Sequence, residues 1–99
     1  MSLQQTEALA ATIHELGYDS VESFALVKAR EALQAEIKLY QHEVAEYESK
    51  YGMDFQTFQT NFDIISTFGL FEKEDDRMEW NACLKGIELV ENKLKTLSE

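Results

Sequence analysis

Leu26, Leu33, Ile37, Tyr40, Val44, Tyr47 and Tyr51 recur at alternating steps of three and four, with Arg30 filling the one vacancy. A repeat near 3.5 residues puts all of them on one helix face, the seam used by antiparallel hairpins and coiled coils. The chain contains no proline, so nothing in it forbids a long uninterrupted helix. From residue 20 to 51 that helix would be roughly 48 Å long at about 1.5 Å per residue. A compact domain of this size is only about 30 Å across, from a radius of gyration near 13 Å. The molecule is therefore elongated, or the helix bends, or a second subunit covers its length, and the preferred reading is an elongated protomer that dimerises into a helical bundle. Its dimer-seam candidates are Leu33, Ile37, Tyr40, Val44 and Tyr47. Arg30 either pairs with an acid across that interface or lies along its rim with its head in water.

The remaining elements follow from capping chemistry. Leu9, Ile13 and Leu16 mark a first helix over about residues 3–16, ended by Gly17. Asp19, with Glu22 three residues on, reads as the next N-cap, and Ser20 competes for that role. In "YESKYGMDFQTF", residues 47–58, Gly52 suits the position past a helix end and Asp54 the N-cap of the next helix. Met53 and Phe58 then stand where a hydrophobic staple would fix the corner. A third helix over about 55–65 carries Phe55, Phe58, Phe62 and Ile65, and "STFGLF" breaks the pattern with a turn at Gly69. The last helix covers about 74–97, with Trp80, Cys83, Leu84, Ile87, Val90, Leu94 and Leu97 on its apolar face. Gly86 sits within it at a cost of about 1 kcal/mol relative to alanine, which a close helix approach would explain. The expected class is all-α: two long antiparallel helices in an elongated hairpin, with short N-terminal and connecting helices, in one domain over residues 1–99.

Composition narrows the function classes. Nineteen acids against nine bases give a net charge of -10, split 9 to 4 over residues 1–50 and 10 to 5 over residues 51–99. An acidic surface repels phosphate backbones, so direct nucleic-acid binding is not expected, whereas encounter with a basic protein is favoured. No apolar run approaches a membrane span and no signal peptide is visible, which makes the cytoplasm the default address. Cys83, the lone cysteine, reads as buried filler.

Catalytic and metal chemistry find little footing. The acids Glu72, Glu74, Asp75, Asp76 and Glu79 lack the spacing of a calcium loop and suit a helix N-terminus instead. His42 and Glu46 share a helix face, but no Glu-x-x-His pair exists to build a di-metal bundle. Ser66 and Thr67 have no histidine close in sequence, and the glycines form no phosphate-cradling loop. No cofactor, metal or catalytic residue is expected, and the chain does not read as an enzyme. Aromatics are the stronger signal: Phe55, Phe58, Phe62, Phe68 and Phe71 fall within seventeen residues, with Met78 and Trp80 just beyond. Such a cluster either fills the end of the hairpin or forms a partner-binding surface. Phe55, Phe58, Phe62, Met78 and Trp80 are the candidate contacts.

The order of pieces carries a resemblance. A long helix ending in "ESKYGMDFQTF", a short aromatic helix, an acidic linker, then "MEWNACL" opening a final helix that ends "ENKLKTL" resembles a group of small acidic helical prokaryotic proteins. These are antitoxins of type II toxin–antitoxin pairs. The similarity spans about residues 30–97 and rests on Tyr51-Gly52-Met53, Phe58 and Glu79-Trp80. The linker "STFGLFEKEDD" is more apolar than is usual there, and Asp54 stands where Ser or Thr is commoner. The resemblance implies a non-enzymatic protein that binds and silences a small basic toxin, often a ribonuclease. Many antitoxins also bind operator DNA, but no helix-turn-helix or basic arm is present to do so. The alternative reading is a helical dimerisation, scaffold or adaptor protein without a toxin partner.

Overall fold

The computed structural model describes residues 1–98. Four α-helices, α1 (Leu3–Glu15), α2 (Val21–Tyr51), α3 (Phe55–Thr60) and α4 (Leu70–Leu97), are joined by turns and one 3-10 segment, Phe62–Ile64. Helices α2 and α4 pack antiparallel along their lengths, with α1 against α2 and α3 against α4. The molecule measures 64 × 26 × 18 Å with a radius of gyration of 20.7 Å. A compact chain of this length would have a radius near 13 Å. The elongated hairpin expected from the seam is therefore the observed architecture.

The seam, however, is satisfied within the chain. Tyr40 lies over Gly86, whose missing side chain makes room for the ring: a Cβ there would sit 2.8 Å from Tyr40 Cζ. Tyr47 stacks on Trp80 with centroids 5.6 Å apart, and Val44 packs on the same cluster. Arg30 reaches the far end of α4, where Nη2 donates to the Leu97 carbonyl at 2.5 Å. It ties the first third of α2 to the C-terminus of α4 rather than lying free along a rim. The residues nominated for a dimer seam thus already face α4 of their own chain, and Leu33 and Ile37 stay half-buried beside it.

Local chemistry sets the joints. Gly52 adopts φ 69°, ψ 24°, and its N–H donates to the Glu48 carbonyl at 2.7 Å. Glycine alone takes this left-handed conformation without a steric penalty. Two residues later the Asp54 carboxylate accepts from the Thr57 N–H at 2.8 Å and caps α3. That bond holds the Asp54 carboxyl below its ordinary pKa. Met53 packs on the aromatic cluster that contains Phe58, as a staple requires. At the other joint Ser20, not Asp19, caps α2, because its hydroxyl accepts from the Ser23 N–H at 3.0 Å. Helix α1 ends in a Schellman motif, with Tyr18 N–H on the Ile13 carbonyl and Gly17 N–H on that of His14. Ile13, 2% exposed, is the residue that anchors α1.

Two boundaries differ from the periodicity. Helix α3 stops at Thr60, where Asn61 turns to φ -102° and its side-chain amide donates to the Thr57 carbonyl at 3.0 Å. The tighter segment that follows points Phe62 inward. Helix α4 begins at Leu70, four residues before the sequence expectation, with Gly69 extended at its N-cap. The reason is Lys73, whose ammonium donates to the carbonyls of Phe62 and Ile65 at 2.7 and 2.8 Å. Its charge also lies 4.6 Å from the centre of the Phe62 ring. The side chain is 6% exposed, so a residue that looked like part of a solvated acidic run is in fact an internal clamp.

Candidate partner-binding surface

The corner gathers its aromatics around one indole. Trp80 and Phe58 have no solvent exposure, while Tyr51 and Phe62 are 8% and 7% exposed. Trp80 stacks against Tyr47 and Tyr51 and meets Phe55 and Phe58 with centroids 5.2 Å away. Phe68 closes the group edge-on to Tyr51 at 5.1 Å. Of the five nominated contacts, Phe58, Phe62 and Trp80 are thereby consumed in the chain's own core. Phe55 is half-buried on the rim of this cluster, and Met78, 71% exposed, stands outside it. Burial follows from geometry: α3 crosses the end of the hairpin and closes over whatever α4 presents there.

A polar belt surrounds the aromatics. Tyr47 donates its hydroxyl to Glu79 at 2.7 Å, and Tyr51 donates to Asp76 at 2.5 Å. Lys50 bridges Asp76 and Glu72 at 2.7 and 3.2 Å. Burial, then the hydrogen bond to a carboxylate, pushes both phenols well above their ordinary pKa. The hydrogen bond to Asp76 likewise raises Lys50. Cys83 donates its thiol to Glu43 at 2.7 Å, and burial with that contact pushes it up to about 11. At that value the thiol is a poor nucleophile near neutrality. Among the described residues no group of three His, Cys, Asp or Glu side chains is gathered as a metal would require. His42 pairs with Glu46 at 3.1 Å on an exposed helix face.

What remains outside is acidic and apolar together. Lys50, Lys73, Arg30 and Arg77 are engaged with the chain itself, Arg77 lying 4.4 Å over the Phe62 ring. Asp63 and Asp75 are exposed, with Glu74 half-buried. Ile64 and Phe71, 76% and 82% exposed, join Met78 as surface apolar groups, and Leu89 and Leu39 lie farther along the hairpin. The sequence reading missed Phe71 because it placed residue 71 in a turn. Once α4 starts at Leu70, Phe71, Met78 and Leu89 are seen to share a helix side away from the seam. None of the described helices is long and apolar enough to cross a membrane. No protein-family model, curated protein or solved structure matches the chain.

Proposed function

We propose that this chain is a non-enzymatic, cytoplasmic protein-binding protein, an antitoxin that neutralises a small basic toxin by covering its working surface. The observation that carries the reading is the fate of the basic residues at the corner. Lys50, Lys73 and Arg77 are engaged with Asp76 and Glu72, with backbone carbonyls and with an aromatic ring, while Asp54, Asp63, Asp75 and Glu79 are exposed near them. A surface of that sign steers a cationic protein into encounter, and exposed apolar groups beside it supply the contact that slows release. Phe55 in α3, and Asp63 and Ile64 in the 3-10 segment that follows it, are assigned to this contact. Support from the sequence comes from the resemblance of residues 30–97 to acidic helical antitoxins.

Co-expression with the product of an adjacent short reading frame encoding a basic protein tests the proposal. The two should co-purify, the chain should restore growth arrested by the neighbour, and the complex should loosen as salt rises. Asp63→Asn should slow association more than it speeds dissociation. A neighbour that is neither bound nor silenced would remove the antitoxin reading.

A further inference from the structure

The outer side of α4 carries large apolar residues that face solvent. At about 100° per residue, Phe71, Met78, Ala82 and Leu89 fall within about 40° of one another, opposite Trp80 and about 60° around from Gly86, where Tyr40 of α2 comes closest. All four are exposed. Lys85, Glu88, Leu89 and Asn92 line a shallow pocket on the same helix. Their spacing of i, i+3, i+4 and i+7 is the four-residue hole that receives a knob from a facing helix. Area says how much must be covered. The chain exposes 7333 Å², whereas a folded monomer of 11.4 kDa is expected to expose about 5,800 Å². The excess of about 1,500 Å² exceeds the roughly 800 Å² each partner buries in a standard interface.

We infer that a second copy of this chain docks on the outer stripe of α4, the two α4 helices running antiparallel about a two-fold axis at their midpoint. The register follows from the helix itself. Met78 and Leu89 are equidistant from the middle of Leu70–Leu97, so an antiparallel pair centred there places each Met78 over the partner's pocket at Leu89. The contact is then isologous, as two-fold symmetry demands. Charge selects the same orientation. Residues 70–83 carry five acids against Lys73 and Arg77, while residues 84–97 carry Lys85, Lys93 and Lys95 against Glu88 and Glu91. Antiparallel pairing sets the acidic half of one helix beside the basic half of the other, where parallel pairing would stack acid on acid. Asp75 and Lys93, both exposed and neither ion-paired among the described residues, come within one residue of the same level on the same flank.

This surface is separate from the toxin contact. Lys73, which holds the 3-10 segment beneath Asp63 and Ile64, lies about 140° around α4 from Met78. A dimer would therefore leave two acidic corners free, and the inference stands whether or not a toxin exists.

Sedimentation equilibrium at tens of micromolar, with helix content followed by circular dichroism, decides it. The chain should sediment at twice 11.4 kDa. Met78→Glu or Leu89→Glu should weaken self-association by at least about tenfold with the circular dichroism spectrum unchanged. Asp75→Lys and Lys93→Asp should each weaken it, and the double exchange should restore it, which also guards against a variant that merely unfolds. A monomeric wild-type chain would overturn the inference. So would a dimer that ignores these changes but dissociates on Leu39→Glu.

Discussion

The two ends of the hairpin are built on different principles. At the corner, α3 and the 3-10 segment close over the α2–α4 pair, and Trp80, Phe58, Phe62 and Tyr51 lose contact with water. At the far end α1 packs against α2 through Ile13. Leu33, Lys93, Thr96 and Leu97 line an open apolar groove there, and Arg30 holds the last carbonyl of α4 in place. The difference teaches that a crossing element adds an aromatic core that the two long helices by themselves do not build. The same three-and-four periodicity gathers its largest buried aromatics where α3 crosses it, while the far stretch buries Val90 but leaves Leu33 and Leu97 half-buried.

That contrast sets the order of effects. Trp80→Ala should cost about 3–5 kcal/mol. This is a large share of the ordinary 5–15 kcal/mol of a folded domain, and urea unfolding of the variant measures it. Lys73→Met should cost about 1–3 kcal/mol, because it strands the Phe62 and Ile65 carbonyls inside the protein. If Lys73→Met were neutral, the clamp would be dispensable and the early start of α4 would need another cause. Gly86→Ala should lose about 1–2 kcal/mol against the Tyr40 ring. In a Tyr40→Ala background it should instead gain about 1 kcal/mol of helix propensity. A double-mutant cycle that found no coupling would contradict the close approach. Leu33→Ala, at the open end, should cost no more than about 1 kcal/mol, since that side chain is only half-buried.

The mildest effect is alkaline. Tyr47, Tyr51 and Cys83 all bind their protons more tightly when folded than when unfolded. Their contribution is therefore complete below about pH 8 and begins to fall as the unfolded thiol and phenols ionise between about pH 8.5 and 10. It is lost as pH passes the folded values, about 11 for Cys83 and higher for the two tyrosines. Urea midpoints at pH 8 and pH 11, with tyrosinate absorbance as a second probe, should show stability falling at the higher pH. An unchanged midpoint would place these groups in an environment no different from water.

How much of this was legible in the sequence divides along the same line. Gly52 and Asp54 could be read because their roles depend on a few neighbouring backbone atoms. The long seam could be read because periodicity survives folding. Lys73 could not, since its partners are carbonyls eight and eleven residues away that only the 3-10 turn brings within reach. Phe58, Phe62 and Trp80 looked equally suited to a core or a partner surface, and nothing local to them distinguishes the two. Their fate rested on where α3 crosses, which is a tertiary fact. Met78 shared their composition but lies off the seam. The early start of α4 hid the stripe it shares with Phe71.

The central claim is a division of labour, with the closed corner holding the fold and the outer face of α4 left for association. Native-state hydrogen exchange at low and high protein concentration tests it most directly. Amides of residues 47–58 and 76–81 should exchange only through global unfolding, without added local protection as concentration rises. Those of residues 85–93 should exchange by local opening in the dilute protein and gain protection as it is concentrated. Uniform protection along the hairpin, or a concentration effect confined to the corner, would contradict the account.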